Sequence, residues 1–335
     1  MQSGGRAIWT PRDLGSLTRQ SYISNAIAHR CVRIIAESAA TLPLTLRQGS
    51  AILESHPVLD LLSRPNPAQD RCAFFEMLYG HLQIAGNTYV EAVGSGAGIA
   101  PRELHVLRPD RVRVVPGESG WPAAYEYRVA NRTHRFAVLE GVSPILHLRS
   151  FHPLDDHYGL SPLEAAAVPV DIHNAASRWN KALLDNAARP SGAVIYTGPD
   201  GASLSESQYA RLREQLETSH QGAANAGRPI LLEGGLDWKA MSFSPSDMEF
   251  MRAKDSAARE IALAFGVPPL MLGLPGDNTH ANYAEANRAF ISQTIRPIVR
   301  KAASALSGWL VNFYGEDLTL EIEISEGAPE GELAN

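Results

Sequence analysis

The densest run of side chains able to do chemistry is HLRSFHPLDDHYG, which carries His147, His152, Asp155, Asp156 and His157. Imidazoles and carboxylates are the donors of a zinc site, which needs several of them converging at fixed geometry. The spacing is not HExxH, and Pro153 interrupts the series. Two readings follow: a metal-dependent hydrolase using the His152–His157 cluster, or a polar loop in which Asp155 or Asp156 holds backbone amides. Other chemistries find less support. The chain has no G-x-S-x-G elbow for a nucleophilic serine, and its serines fall where helices need N-caps. Glu321 and Glu323 share one strand face, whereas glycosidase carboxylates usually come from different strands. On the outer side of an edge strand they discourage aggregation. Gly94–Gly98 (GSGAG) lacks GK[ST] and a following helix, so it reads as a hairpin tip. Gly276 to Asn282 is a polar loop between two helices.

Composition bounds the function class. A chain of 335 residues with 44% hydrophobic content can bury a core, in two or three modules. The net charge of −6 and the lack of a long basic tract give no support for tight phosphate binding. Cys31 and Cys72 read as buried free thiols of a reducing cytoplasm. No apolar stretch reaches membrane-spanning length, and Met1–Asp13 lacks a signal-peptide apolar region. A soluble intracellular protein is expected, with no membrane contact, cofactor or metal.

The elements that position these residues divide into an α/β front and a helical back. Ser21 to Ala40 reads as a helix with Ile23, Ile27, Cys31 and Ile34 on one face. Leu42, Leu44 and Leu46 alternate as a strand. Helices over His56–Ser63 and Asp70–Ile84 flank the breaker Arg64-Pro65-Asn66-Pro67. Strands follow at Thr88–Val93, Glu103–Leu107, Arg111–Val115, Ala124–Val129, Arg135–Val138 and Ile145–Leu148. Their short turns predict an antiparallel sheet.

Ser161 is an N-cap, Pro162 suits the first helical position and Glu164 can close a capping box. The helix it opens carries Ile172, Ala176, Trp179 and Leu183 as one stripe, with Pro169 expected to kink or delay it. Run to Arg189, it is about 40 Å long, more than one small domain buries. Residues Pro190 to Phe243 form an insertion. Within it lie a strand Ala193–Tyr196, a helix capped by Ser205 and Gln208 that carries Tyr209, Leu212 and Leu216, and a hairpin of Ile230–Leu232 with Leu236–Met241. Ser246 and Glu249 should cap the next helix, which Gly266 ends in the left-handed conformation and Pro268-Pro269 prevent from continuing. A long helix from Tyr283 to Phe313 keeps Ile291, Ile295, Ile298, Ala302, Ala305 and Trp309 on one face, and Pro297 should bend it. Leu318–Ile324 is a strand expected to return to the first sheet, and Gly327–Asn335 an exposed tail. Long single-striped rods favour an assembly component over an enzyme.

Five motifs in fixed order carry a resemblance. They are HRCVRIIAESAATLPL within Asn25–Leu44, His56-Pro57 with Pro65-Asn66-Pro67, Tyr158-Gly159-Leu160-Ser161-Pro162-Leu163, Ala188-Arg189-Pro190-Ser191-Gly192 with Asn225–Gly235, and Arg259–Ala262 with Phe265-Gly266-Val267-Pro268-Pro269. Together they resemble the portal proteins of tailed double-stranded-DNA bacteriophages of the long-tailed type, with gene transfer agents and prophages carrying similar proteins. The match runs from about residue 20 to 325.

The resemblance implies an α+β portal-type fold: an N-terminal arm (1–20), an α/β wing (21–160), a stem helix (161–189), a small α/β clip (190–243), a second stem helix (244–268), a tunnel loop (269–282), a long kinked helix (283–313), and a last wing strand with a short tail (314–335), the crown reduced or absent. It implies a non-enzymatic dodecameric ring at the unique capsid vertex of the virion, assembled in the bacterial cytoplasm. Its implied partners are copies of itself, the major capsid protein, the terminase large subunit, a head-completion adaptor and double-stranded DNA passing non-specifically. Asp277, Asn278, Thr279, His280 and Asn282 would approach DNA, and Glu206, Arg211, Arg213 and Glu214 on the clip would face terminase or adaptor. Ser161, Pro162, Gly266, Pro268, Pro269 and Pro297 are structural. Relatives with a lysine in the tunnel loop differ here, since none lies between Pro268 and Arg288. An adaptor that never forms a ring is the remaining alternative.

Overall fold

A computed structural model describes residues 9–96, 98–139, 142–185, 192–196, 205–220, 236–240, 245–274, 280–315 and 317–322. The chain divides into two compact units, Met1–Asp171 with Ser256–Asn335, and Ile172–Asp255.

In the first unit, a short helix α1 (Leu14–Leu17) runs into a π-turn over Thr18–Ile23. The helix expected from Ser21 therefore starts later. Asn25 is extended and its side chain accepts from the Ile27 and Ala28 amides, so α2 spans Ala26–Thr41 and Ile23 is left exposed. The turn in front of it is the competing local conformation that periodicity alone does not separate. Strands β1 (Leu44–Gln48) and β2 (Ala51–Leu53) follow, then α3 (Pro57–Ser63), capped by the His56 ring, and α4 (Arg71–Ala85), capped by Asp70 and ended by left-handed Gly86. Cys31 is buried, and burial pushes its thiol up to about 12. Cys72 is exposed, correcting the expectation of a buried thiol: it occupies the outer side of the first turn of α4.

Strands β3 (Asn87–Val93), β4 (Glu103–Leu107), β5 (Val112–Pro116), β6 (Pro122–Val129), β7 (Arg132–Ala137) and β8 (Ile145–Arg149) are all antiparallel. They form two sheets of three rather than one, in the orders β4-β3-β8 and β5-β6-β7. Strand β7 begins three residues before the expected start. Val129 pairs with Arg132, leaving Ala130-Asn131 as a two-residue turn, and Ala130 takes φ of 49°. Such turns usually signal themselves with glycine, and this one has none.

Helices α5 (Pro162–Ala165) and α6 (Ala167–Asp185) are separated at Ala166. This is the interruption expected from Pro169, whose ring crowds the carbonyl four residues back. Helix α8 (Pro245–Phe265) begins one residue before Ser246, which therefore lies in the first turn and is not its cap. The long back helix starts at His280, earlier than Tyr283: α9 (His280–Phe290) passes through a π-turn at Ile291–Ile295 into α10 (Arg296–Tyr314). The wider turn adds a residue just before Pro297. Of the expected stripe Ile295, Ala302 and Trp309 are buried, while Ile291, Ile298 and Ala305 pack only partly against the core, and Val299, Ala303, Leu306 and Leu310 widen the buried face.

Strand β11 (Leu318–Ile322) pairs antiparallel with β1, Leu46 opposite Leu320, so the chain end does return to the first sheet. Buried Ser307 ties it to α10, accepting from Leu320 N–H at 2.8 Å while donating to the Ala303 carbonyl at 2.7 Å. Trp309 donates to the Ser143 carbonyl at 2.8 Å. The main core packs α2, α4 and α10 together, with Phe74, Phe75, Leu78 and Leu306 almost wholly buried.

The second unit holds β9 (Gly192–Tyr196) paired antiparallel with β10 (Leu236–Ala240), and α7 (Glu206–His220). Ser205 and Gln208 close a reciprocal capping box at α7. Ile230–Leu232, expected to pair with the β10 strand, lies outside the described residues.

Candidate assembly and channel site

The histidine segment is occupied with structure. Asp155 accepts from the His157 and Tyr158 amides at 2.7 and 2.8 Å, which holds its carboxyl below the usual range. The His152 ring accepts from Leu154 N–H at 3.0 Å. His147 points elsewhere: it stacks on Tyr89 at 4.3 Å and donates from Nε2 to Asn87 Oδ1 at 3.0 Å. Among the described residues, no three His, Cys, Asp or Glu side chains are gathered to hold a metal ion. Of the paired glutamates, Glu321 meets Arg47 at 3.0 Å, and Glu323 lies outside the described residues.

Burial lowers the His147 pKa to about 3, and that of His81 to about 4. Both sit below the ordinary 6.5. A histidine held neutral stabilises the fold above its unfolded value, and the contribution drains away as pH falls toward the folded one. Stability should therefore decline from about pH 6.5 toward pH 3. His147→Gln, which keeps a donor for Asn87, should flatten that decline in urea titrations; an unchanged slope would remove His147 from it.

The joint between β3 and the segment leading into α5 is built from backbone and the Asn87 side chain. Asn87 Oδ1 accepts from Gly159 N–H at 2.8 Å, and Asn87 Nδ2 donates to Ala85 O at 2.8 Å. Ser150 N–H reaches Gly86 O at 2.8 Å. A Cβ at Gly159 would lie 2.1 Å from that same Gly86 oxygen. The two segments touch with no room for a side chain. Directly beyond, Ser161 Oγ accepts from Glu164 N–H at 3.0 Å and Pro162 takes the first helical position.

At the far end of α8, Gly266 has φ of 67°. Its N–H bonds Leu263 O at 3.0 Å, and Val267 N–H bonds Ala262 O at 2.9 Å, the paired bonds of a Schellman stop. Pro268 then precedes a 3-10 turn, Pro269–Leu272, closed by left-handed Gly273. Of the predicted channel residues, Asp277, Asn278 and Thr279 lie outside the described residues. His280 is the first residue of α9, and Asn282 is exposed on the same helix, so the loop is shorter than expected. Glu206, Arg211, Arg213 and Glu214 are all exposed on α7.

In the second unit, α6 shows an exposed apolar line, Ile172, Ala175 and Trp179. Trp179 stacks on Phe250 of α8 at 5.6 Å, and Phe250 and Met251 are themselves about half exposed. Helices with this much apolar side chain in water need a further surface to cover them.

The family model for phage portal proteins matches residues 26–327. The chain belongs to the phage portal protein family. It is 41% identical over 307 residues to an uncharacterized protein of Rickettsia bellii, covering 90% of this chain and 78% of that one. It is 26% identical over 313 residues to the probable portal protein of Streptomyces phage phiC31, covering 89% of this chain and 67% of that one. Among solved structures, it resembles a chain in the neck of an empty gene transfer agent particle solved with C6 symmetry. The TM-score is 0.80 at 54% identity, covering 97% of this chain and 87% of that one. A chain in the neck of the native particle with C12 symmetry gives 0.78 at 54% identity, covering 98% of this chain and 88% of that one. The family is structural rather than catalytic, and its portal fold is the one described above. Sequence reading missed the Gly86–Gly159 joint, because it pairs residues far apart in the chain.

Proposed function

We propose that this portal chain assembles as a dodecameric ring at one capsid vertex, a conduit for double-stranded DNA pumped in by terminase and released later. The observation that carries the ring is the exposed line Ile172, Ala175, Trp179 with Phe250 and Met251, which a neighbouring copy would bury in a closed heterologous interface. The C12 neck of a relative with 54% identity supports it.

In this reading residues 21–160 and 314–335 are the wing, which meets the major capsid protein, and 161–189 and 244–268 are the stem. Residues 190–243 are the clip, with Glu206, Arg211, Arg213 and Glu214 turned toward terminase and then the head-completion adaptor. The segment 269–282 approaches the DNA, with His280 and Asn282 at the start of the long helix. A conduit must let DNA slide, and a run from Pro269 to Asn287 with neither lysine nor arginine suits low friction.

Light scattering of the purified protein tests the ring. Twelve chains of 36.3 kDa come to about 0.4 MDa. The double variant Ile172→Asp with Trp179→Asp should fall to subunit mass with its circular dichroism intact, because carboxylates would be buried at every interface. A wild-type protein that stays at subunit mass both alone and with its capsid protein would sink the proposal.

A further inference from the structure

The β5-β6-β7 sheet carries an unusual charge for this chain. Its three strands hold Arg113, Arg128, Arg132 and Arg135 against one carboxylate, Glu126, while the whole protein is at −6. Strand register places three of the arginines together. Arg113 pairs with Glu126 and Glu126 with Arg135, so these form one row across the sheet. Arg128 lies two residues along β6 from Glu126, on the same face and about 7 Å away. Arg132 pairs with Val129, so it belongs to the other face, at the hairpin end, and is not part of this row.

One glutamate cannot neutralise this face. Glu126 lies 3.1 Å from Arg135 and 3.8 Å from Arg113, whose guanidinium side chains remain 57% and 71% exposed. Among the described residues, no carboxylate lies within salt-bridge range of Arg128. The opposite face of the sheet is closed by Val112, Val114 and Tyr125, which form a core. The arginines are thus carried on a packed, three-stranded platform. Guanidinium forks on such a platform can each take a phosphate's oxygens, a contact that carries no sequence information.

We propose that this sheet face is a second, non-channel binding surface for the phosphate backbone of double-stranded DNA, independent of sequence. The inference rests on the portal reading for the presence of DNA, and it differs from that reading in location: the contacts are on a sheet, not on the polar loop before α9.

Relaxed closed-circular DNA discriminates the two surfaces, because it cannot thread a preformed closed ring. The full-length protein should retain the circle at low salt, with log affinity falling linearly in log salt. The triple variant Arg113→Gln, Arg128→Gln, Arg135→Gln should bind at least tenfold more weakly, with a slope smaller by about 3, close to one for each phosphate no longer neutralised, whereas Arg132→Gln, on the other face, should change the slope little. Glu126→Gln should bind more tightly than wild type, a gain that misfolding would not produce. An unchanged slope in the triple variant, or weaker binding by Glu126→Gln, would overturn the proposal. So would poly-glutamate competing as well as DNA for the same arginines, which would make the face a docking site for an acidic protein. A subunit-mass protein that still binds the circle through these arginines would keep this inference while removing the ring.

Discussion

Alanine at position 159 should destabilise the protein by about 4 kcal/mol, near the top of what one methyl group does. The added Cβ would sit 2.1 Å from Gly86 O, 2.6 Å from Ser150 N and 2.8 Å from Ser150 O, all of them backbone. Backbone cannot swing aside as a long side chain can, so the two segments must separate. Separation lengthens the Gly159 N–H bond to Asn87 Oδ1 and the Ser150 N–H bond to Gly86 O, both 2.8 Å. Asn87 is only 5% exposed, so its amide would be left with unmet partners, at about 1–3 kcal/mol for each group. Urea denaturation reads the loss as a lower midpoint, and thermal melting as a drop of roughly 10 °C. The same substitution at Gly80, inside α4 with nothing within 4 Å of the added carbon, should instead gain about 0.5–1 kcal/mol. Equal melting of the two variants would show that the close approach of Gly86 and Gly159 is not real.

Valine at position 266 should cost about 3 kcal/mol, through conformation first and crowding second. The backbone there has φ of 67°, a region costing an ordinary L-residue about 1–2 kcal/mol and a β-branched one more. The new Cβ would also lie 2.9 Å from Thr294 Oγ1, which donates to Gly266 O at 2.7 Å. That hydroxyl links the end of α8 to the π-turn before α10, so the variant should loosen both. Asparagine tolerates the left-handed region, and Gly266→Asn should recover part of the loss. A Gly266→Val melting curve superimposed on wild type would contradict the Schellman stop.

What sequence made legible here is local chemistry. Ser161 with Pro162, Ser205 with Gln208, and Gly266 each act within a few residues of themselves, and each does in the structure what its type predicts. The bounds of β4 and the alternation of β11 are legible for the same reason. Where a local signal had a competitor, it was less decisive. Pro297 suggested a bend, and a π-turn stands just before it; Ala302 and Trp309 of the expected face are buried, but Val299 is buried where Ile298 was expected. Ala130 turns a hairpin without glycine, and β7 was read three residues short.

Long-range register belongs to the tertiary structure. Alternation marked Leu318–Ile324 as a strand expected to return to the first sheet; that Leu46 stands opposite Leu320, joining segments some 276 residues apart in sequence, with Ser307 tying the strand to α10, is decided by packing. Arg113, Arg128 and Arg135 are scattered charges along the chain and become one face only when register aligns them through Glu126. Gly86 and Gly159 are two ordinary turn glycines until their backbones meet. Helix caps and strand alternation are decided by neighbours a few ångströms away along the chain, so residue order determines them. Registers, basic faces and side-chain-free contacts are decided by which distant segments the core brings together, and that choice minimises exposed apolar area over the whole molecule at once.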